Sequence, residues 1–418
     1  MLRSYQEEAV RKMIWGIELE GNGIVSIPTG GGKTHIIAEF VKRLGEPVLI
    51  LVPSKELLEQ DLDKLSKVVP KEEIGVFSAS MNSKVVKTYT LATIQSAYKH
   101  PHLFAHYKVV LIDEADLLNP KNLEGMYNSF FREIGNPRII GLTATPFRMD
   151  SFYRPVPGSF RFGYFGRPSY SDLQTVHTLK FLTRFKQRFW SRVLHVVHAE
   201  ELIKEGFLVP LTYHDKEMID QQLLSFNKSK SDFNLEEFEE KFDPFLKKTA
   251  DLIKNLVFEK KSVLVFCATI TQAESLRTLL PNAEVVTGET PKKKRAEMVQ
   301  AFRDGRLPVA INVGVLLIGF DKPNLDAIVI ARPTRSLRLH IQLLGRGMRV
   351  AEGKKTCHIY DLVGNVKTLG RAETLKIVKV EGKWNLISDA RPEGWHYAEL
   401  YTHDIIRKEN KNELHPTS

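Results

Sequence analysis

Short apolar, β-branched runs alternate with stretches of helical spacing along much of the chain. Residues 24–27 form one such run, and residues 34–44 follow with apolar side chains at three- and four-residue intervals. The first pattern predicts a buried strand and the second an amphipathic helix. Residues 109–112 form another apolar run and predict a second strand of the same region.

The same alternation returns after residue 260. Alternating strand and helix signals favour a parallel sheet covered by helices, so the chain is predicted to hold two α/β lobes. The predicted strands of the second lobe are residues 263–266, 284–286, 309–313 and 327–330, and the predicted helix is residues 291–302.

Three other patterns give separate predictions. Aromatic residues recur at helical spacing in residues 180–197 and predict a core-facing helix. Residues 375–387 read as two strands with Glu-Gly at the turn, which predicts a hairpin. Residues 398–408 predict a helix.

Three glycines lie between the first predicted strand and its helix. Gly30, Gly31 and Gly32 are followed by Lys33 and Thr34. Glycines let backbone N–H groups close around an anion, the lysine suits β- and γ-phosphates, and the threonine hydroxyl suits Mg²⁺. The alternative is a flexible turn with a solvated lysine; the strand–loop–helix setting favours a phosphate-binding loop, relaxed because Ile27 stands where the strict pattern has glycine.

Two carboxylates follow the predicted strand at residues 109–112. Asp113 lies where a strand end can present oxygens to a metal ion, and Glu114 is placed to polarise an attacking water. Taken alone, the tetrapeptide DEAD is typical of a solvated turn. After an apolar strand and about 80 residues beyond a phosphate-binding loop, it predicts a site that hydrolyses a nucleoside triphosphate.

Arg346 and Arg349 lie three residues apart in the second half of the chain. On one helical turn they would share a face, and forked guanidinium groups match phosphate oxygens. Two solvated arginines on a basic helix are the ordinary alternative.

Composition, charge and cysteine content limit the classes of protein that these patterns allow. A chain of 418 residues and 47.7 kDa predicts two or three domains, and 43% hydrophobic residues predict a soluble globular protein. The net charge of +10 is compatible with a polyanionic partner.

No run approaches the ~20 apolar residues that span a bilayer, and the N-terminus lacks a signal-peptide core. Two distant cysteines, Cys267 and Cys357, exclude a disulfide framework and favour a reducing cytoplasm.

Nine motifs follow one another along residues 2–349: LRSYQ, PTGGGKT, LVPSKELLEQ, ATIQS, DEAD, GLTATPFR, VFCAT, INVGVLLIGFDKPNLD and QLLGRGMR. This ordered set resembles the superfamily 2 helicases and translocases. Within this superfamily the sequence resembles the RadD-like and phage UvsW-like helicases, on the stretches GLTATPFR, GFDKPNLDAIVIARPT and GRGMR. Thr143 and Gln342 stand where RNA helicases of the DEAD-box type usually have serine and histidine, so the DEAD tetrapeptide does not by itself indicate RNA. The resemblance to RadD-like helicases implies a cysteine zinc module after the second lobe, but this sequence has no cysteine after Cys357. We therefore expect a compact, phage-encoded version.

The resemblance implies two RecA-like lobes with ATP and Mg²⁺ between them. The implied nucleotide contacts are Arg3, Gln6, Pro28, Thr29, Gly30, Gly31, Gly32, Lys33, Thr34, Gly319 and Asp321. The implied metal ligands are Thr34 and Asp113, and the catalytic set adds Glu114, Gln342, Arg346 and Arg349. The implied nucleic-acid contacts or coupling residues are Lys55, Thr93, Gln95, Thr143, Thr145 and Thr269, each of which could equally be a surface polar residue.

Residues 151–200 are not explained by the resemblance. They carry eight Lys or Arg against two acids, and 11 of the 39 aromatic residues of the chain. Either the aromatics pack an insertion against the first lobe, or they stack on bases or separate strands while arginines hold phosphates. The residues of this second hypothesis are Arg154, Arg161 and Arg167, with Tyr164 and Phe165 as the wedge.

The sequence thus predicts an α/β protein with two RecA-like parallel-sheet lobes, an insertion and a C-terminal extension. We expect an ATP- and Mg²⁺-dependent DNA helicase or branch-migration translocase, acting as a monomer on branched or forked DNA. A double-stranded DNA translocase, an RNA helicase and a non-hydrolysing clamp are the alternatives. The expected boundaries are 1–150 for lobe 1, 151–205 for the insertion, 206–365 for lobe 2 and 366–418 for the extension.

Overall fold

The protein is described from a computed structural model. Two α/β lobes follow one another along the chain, and a small C-terminal sheet follows the second lobe. None of the helices in the described ranges combines the length and the apolar character that a bilayer crossing needs. The structure describes residues 2–155, 160–162, 168–170, 173–186, 189–229, 231–260, 262–315, 322–380, 383–388 and 405–407.

The first lobe is built on an eight-stranded sheet. Its order is β12-β1-β7-β6-β2-β5-β3-β4, and only the short β4 at one edge runs antiparallel to its neighbour. The strands of the first 200 residues are β1 (Asn22–Ser26), β2 (Val48–Val52), β3 (Ile74–Ser78), β4 (Ser83–Lys84), β5 (Tyr89–Thr93), β6 (Val109–Asp113), β7 (Arg138–Thr143), β8 (Phe147–Pro155), β9 (Phe160–Phe162), β10 (Pro168–Tyr170), β11 (Leu173–Phe181) and β12 (Trp190–Val196).

Helices cover this sheet because their apolar faces match its buried strands. In α2, Ile37, Phe40 and Val41 are buried, and Gly45 ends the helix with a φ of 67°. The strand and helix predicted around the glycine loop are both present, as is the strand predicted before Asp113. The helices of this lobe are α1 (Ser4–Glu18), α2 (Lys33–Leu44), α3 (Lys55–Leu65), α4 (Ile94–Ala97), α5 (Met126–Glu133) and α6 (Ala199–Lys204).

The prediction of a helix at residues 180–197 is wrong. Strand β11 ends at Phe181, a short 3₁₀ turn follows, and β12 pairs in parallel with β1 at the edge of the sheet. Trp190 is fully buried, and its ring lies so close to Gly141 that a Cβ there would be 2.5 Å from it. Spacing misled because this segment buries its aromatic residues from several short elements rather than along one helix face. Strand β12 therefore belongs to the first lobe's sheet.

A long two-stranded ribbon leaves the sheet directly after β7. Its strands β8 and β11 are nine residues each and pair antiparallel from Phe147↔Phe181 to Pro155↔Leu173. Asp150 anchors the ribbon at its base, where it is almost fully buried and forms ion pairs with Lys121 and Lys180. Strands β9 and β10 form a separate two-stranded sheet within the same insertion.

The second lobe is built on a six-stranded, all-parallel sheet. Its order is β13-β18-β17-β14-β16-β15, and all four strands predicted from sequence are members, with ends shifted by one residue at most. The strands are β13 (Leu211–Asp215), β14 (Val263–Cys267), β15 (Ala283–Val286), β16 (Val309–Asn312), β17 (Ala327–Ala331) and β18 (Cys357–Asp361). The helices are α7 (Leu235–Phe242), α8 (Leu246–Glu259), α9 (Ile270–Thr278), α10 (Lys292–Arg303), α11 (Leu337–Leu344) and α12 (Asn365–Leu369).

The hairpin predicted within the C-terminal extension is present: β19 (Lys376–Val380) pairs antiparallel with β20 (Lys383–Ser388). The helix predicted at residues 398–408 is wrong where the structure describes it, because residues 405–407 form β21 (Ile405–Arg407), parallel to β20. The other residues of that prediction lie outside the described part. The backbone of residues 405–407 pairs with β20, so its N–H and C=O groups find partners in a sheet instead of in the predicted helix.

Candidate functional site

The glycine loop joins β1 to α2 and curls against the start of the helix. Gly30 and Gly32 have φ values of 85° and 77°, in the left-handed region that side chains rarely adopt. Gly32 caps α2 without a side chain; the amides of His35 and Ile36 donate to its carbonyl, and Lys33 and Thr34 are the first helical residues after the loop. Backbone of this shape, at a helix N-terminus, suits an anion.

Lys33 connects the loop to the acidic strand end. Its ammonium donates to Glu114 at 2.6 Å and lies 3.9 Å from the carboxylate of Asp113. The lysine is deeply buried; burial would lower its pKa, but Glu114 and Asp113 raise it overall, so it stays charged. A phosphate entering the loop would compete with Glu114 for this ammonium.

The residues present fit a divalent cation. Both carboxylate oxygens of Asp113 are buried, and neither accepts a well-formed hydrogen bond within the described part of the chain. Burial raises the pKa of Asp113 to about 7, although the nearby charge of Lys33 acts in the opposite direction. The described residues contain no cluster of three or more His, Cys, Asp or Glu arranged for a metal. That result is compatible with Mg²⁺, which usually takes one or two protein ligands and shares substrate phosphates.

Arg346 and Arg349 face this cluster from the second lobe. Helix α11 ends at Leu344, so the arginines lie on the turn that follows rather than on one helical face. A Cβ on Gly30 would lie 3.2 Å from Cγ of Arg349, which shows how closely that side chain approaches the glycine loop. Both arginines line one cleft of about 1440 Å³, together with Thr29, Gly30, Gly32, Lys33, Thr34, Asp113, Glu114 and Gln342.

The N-terminal segment borders the same cleft. Gln6 is buried, accepts a hydrogen bond from the Arg3 amide at 3.0 Å, and lies against Gly32. The Arg3 guanidinium lies 4.2 Å from the ring centre of Phe207, whose ring also packs on Tyr5. A planar aromatic and a planar cation are suited to stacking on a base.

Asp116, the last residue of the DEAD sequence, is a junction between the lobes. Its buried carboxylate accepts a hydrogen bond from Thr143 at 2.6 Å and pairs with Arg338 of α11. Arg148 donates to the carbonyl oxygens of Asp116 and Leu117. The acidic motif, the strand end at Thr143 and the second lobe are thus joined by direct contacts.

The structure brings only some of the predicted nucleic-acid residues to the cleft. Lys55 and Gln95 are exposed on its wall, and Thr93 also borders it but is buried and bonded to Ser96. Thr143 and Thr145 are fully buried, so they can act only by coupling. Thr269 caps α9 and donates to Glu239, which gives it a local structural role.

Some of the predicted residues lie outside the described part of the chain, and two lie in strands of the insertion. Tyr164, Phe165 and Arg167 lie outside the described residues, as do Gly319 and Asp321. Arg154 lies opposite Gln174 in the β8–β11 ribbon and Arg161 opposite Ser169 in β9–β10; the backbone alone is described there.

Sequence reasoning missed three residues near the site. Asp61 is buried in α3, and burial together with the nearby Asp113 raises its pKa well above the ordinary value. The sequence does carry a signal for Asp61, because this acidic residue lies four positions after Leu57 and therefore on the same apolar face of α3. Phe207 and Arg338 had no such signal, because each reaches the site only through the packing of the two lobes.

Comparison with known proteins gives consistent matches for both lobes. Residues 1–148 match the family described as "Type III restriction enzyme, res subunit", and residues 247–351 match "Helicase conserved C-terminal domain". IRC3 of Saccharomyces cerevisiae, a protein named as an ATP-dependent helicase, is 26% identical over 87% of this chain and 52% of its own length. The "DNA 3'-5' translocase XPB2" of Sulfurisphaera tokodaii is 26% identical over 83% of this chain and 78% of its own.

The chain thus spans about half the length of IRC3. Among solved structures, the ATP-dependent Type ISP restriction-modification enzyme LlaBIII bound to DNA aligns with a TM-score of 0.59 and 16% identity, over 87% of this chain and 28% of that one. That likeness supports the fold of two RecA-like lobes. The two family matches together take in more than half of the sequence, and seven of the nine motifs within them contribute residues to one interlobe cleft. The chain therefore belongs to superfamily 2 of the helicases and translocases.

Proposed function

We propose that this chain is an ATP-dependent DNA helicase or translocase that couples ATP hydrolysis to the unwinding or branch migration of branched DNA. The observation that carries the proposal is the convergence of Lys33, Asp113 and Glu114 from one lobe with Arg346 and Arg349 from the other in a single cleft. Because residues of both lobes would contact one triphosphate, its hydrolysis would change the distance between the lobes.

Each residue has a role in this scheme. Lys33 and the glycine loop hold the β- and γ-phosphates, and Glu114 orients the attacking water. Thr34 and Asp113 would hold Mg²⁺, which when bound neutralises phosphate charge. Arg346 and Arg349 stabilise the negative charge that develops on the transferred phosphoryl group.

DNA is the proposed track because XPB2, by its name, acts on DNA and the cleft has a basic wall. Lys292, Arg295 and Arg303 of α10 border it opposite Lys55 and Gln95. Cationic side chains on both lobes are the arrangement needed to hold a phosphate backbone that the lobes then move.

The β8–β11 ribbon is the proposed strand separator. Nine residues in extended conformation reach about 30 Å. It begins four residues after Thr143, so it is linked through Asp116 to both the acidic motif and the second lobe. Its aromatic and basic sequence suits contact with bases and phosphates.

The experiment is ATP-driven processing of a panel that holds forks, Holliday junctions, simple overhangs and RNA duplexes. The proposal expects turnover on forks and junctions above that on simple overhangs, with ATP hydrolysis stimulated by DNA more than by RNA. Equal stimulation by RNA, or no strand displacement on any DNA, would contradict it.

Two variants at the cleft serve as its controls. Lys33→Ala removes the phosphate-binding cation and is expected to abolish hydrolysis. Glu114→Gln keeps a side chain of the same size, so it should retain ATP binding while turnover falls by about 10²–10⁴-fold, as loss of a proton-accepting group implies. Fluorescent-nucleotide binding and phosphate release measure the two effects separately.

A double-stranded DNA translocase that does not unwind is the second candidate. It is favoured by the match of residues 1–148 to a restriction-enzyme subunit and by the name of XPB2. A triplex-displacement assay run beside fluorescent strand displacement separates the two: triplex displacement without strand displacement would favour the translocase.

A further inference from the structure

The turn that carries the two arginines needs support that the helix before it cannot give. After α11 ends, Gly345 and Gly347 donate back to Ile341 and Leu344, but the carbonyl groups that follow have no helical partner. The carbonyl of Met348 is satisfied by the amide of Val209, in the segment that links the lobes, at 2.8 Å. The carbonyls on either side of it belong to Gly347 and Arg349.

Lys354 supplies both of those partners. Its ammonium donates to the carbonyl oxygens of Gly347 at 2.7 Å and Arg349 at 3.0 Å, and its third hydrogen bond goes to Pro323 at 2.8 Å. An ammonium has three N–H donors, so all three act on backbone oxygens. The lysine is itself held by a tight turn, because its amide donates to Ala351 at 3.1 Å.

The third hydrogen bond extends this support beyond the turn. Pro323 follows Lys322, whose ammonium donates to the carbonyls of Phe302 and Arg303 at the end of α10. Helix α10 lines the cleft, so two successive lysine contacts tie the arginine turn to that wall. A change in the position of α10 would therefore reach Arg349 through Lys354.

We propose that Lys354 is the positioning residue for Arg346 and Arg349: its ammonium fixes the backbone of their turn and joins it to the segment at Pro323. The inference rests on the proposed function, because it concerns the hydrolytic step. Lys354 does not line the cleft, so it acts through the arginines and not on phosphate. Displacement of a charge-stabilising group by about 1 Å is enough to lower a rate by roughly 10²-fold.

The test is Lys354→Met, which keeps the length of the side chain and removes its donors, with Lys355→Met as the matched control on the exposed neighbour. DNA-stimulated hydrolysis should show kcat reduced 10- to 100-fold and the KM for ATP changed less than 3-fold. Binding of ADP with aluminium fluoride should weaken by a similar factor to kcat, and binding of ADP alone should not change. Lys354→Arg, whose planar fork does not reach three convergent carbonyls, should recover only part of the rate.

Either of two results with Lys354→Met would overturn the proposal. Wild-type kcat and wild-type affinity for ADP with aluminium fluoride in Lys354→Met would show that the arginines need no such support. Equal loss of ADP binding would show a general structural role. Lys354→Gln, whose single amide nitrogen carries two N–H donors and no charge, repeats the comparison if the methionine variant does not fold. A wild-type protein that does not hydrolyse ATP at all would instead refute the proposed function, and this inference with it.

Discussion

Glu114 holds a backbone conformation that glutamate seldom adopts. Its φ is 52°, and the other two non-glycine residues with positive φ in the described chain are Asn82 and Asn136, a residue type that tolerates this region. Such a conformation costs on the order of 1 kcal/mol and persists where surrounding structure imposes it. Here that structure is the end of β6 and the 2.6 Å contact between Glu114 and Lys33. The strained backbone therefore belongs to the residue that carries the proposed catalytic carboxylate.

Arg338 shows how one residue connects the lobes. Its partner Asp116 is buried, so loss of the guanidinium leaves a buried carboxylate whose remaining side-chain hydrogen bond comes from the neutral hydroxyl of Thr143. We expect Arg338→Met to lower the free energy of unfolding by about 3 kcal/mol. Urea titration followed by circular dichroism measures this.

The control for that prediction is an exposed ion pair. Arg132→Met breaks a contact with Glu124 on the surface and should cost less than about 1 kcal/mol. Adding Asp116→Asn to Arg338→Met should restore part of the loss, because the unpaired charge is removed. Equal midpoints for Arg338→Met and Arg132→Met would show that the interlobe pair contributes nothing.

Helix α11, which is eight residues long, contributes to three features of the structure. It presents Arg338 to the first lobe, leads into the arginine turn, and buries His340 completely. The Nε2–H of His340 donates to the carbonyl of Gly370 at 2.8 Å, which fixes the tautomer of a neutral ring. The helix is therefore held between the first lobe and the loop after α12.

The burial of His340 predicts a pH dependence of stability. Burial lowers its pKa from 6.5 to about 4, although the bond to Gly370 acts the other way. The unfolded chain therefore binds this proton at higher pH than the folded chain does, and stability is lost as pH falls from above 6.5 towards 4. Between pH 7 and 5 the wild type should lose about 2 kcal/mol that His340→Gln does not lose.

Urea midpoints at the two pH values measure that difference. His106→Gln, at an exposed histidine, is the control and should follow the wild type. Parallel profiles for the wild type and His340→Gln would mean that the ring is not excluded from solvent as the structure has it.

At the scale of the whole molecule, the C-terminal hairpin bridges the two lobes. Its Ile377 contacts the His198 ring of the first lobe through both its amide and its carbonyl, at 3.2 and 3.0 Å. Lys376 pairs with Glu200 of α6 at 2.6 Å. An apolar cluster joins the hairpin to the base of the ribbon and to α11; its buried members are Phe147, Leu179, Phe181, Leu337, Leu369, Leu375, Ile377 and Leu386.

We expect Leu386→Ala to loosen this bridge. Leu386 is 1% exposed, and its truncation in a packed cluster costs about 2–4 kcal/mol. Hydrogen exchange should then quicken in β19, in β20 and in α6 of the first lobe, because the hairpin holds them together. Lys379→Ala, at an exposed position of the same strand, is the control; unchanged exchange in α6 would show that the hairpin does not restrain the first lobe.

The sequence by itself determined the elements whose signals are local. The glycine loop with its flanking strand and helix, the acidic strand end at Asp113 and the strands of the second sheet all follow from periodicity and residue type. These predictions succeeded because each core strand is buried on both faces and each motif lies at a strand end, where short-range pattern and tertiary role agree.

Only the tertiary structure decided which distant segments meet. The pairing of β12 with β1 overrode a helical pattern, and residues 405–407 joined a sheet rather than a helix. The contacts of Arg338 with Asp116 and of Lys354 with Arg349 depend on how lobes and turns pack, and no spacing encodes them. Side-chain pattern reports the burial of a segment, whereas the partner that buries it is set by the free energy of the whole fold.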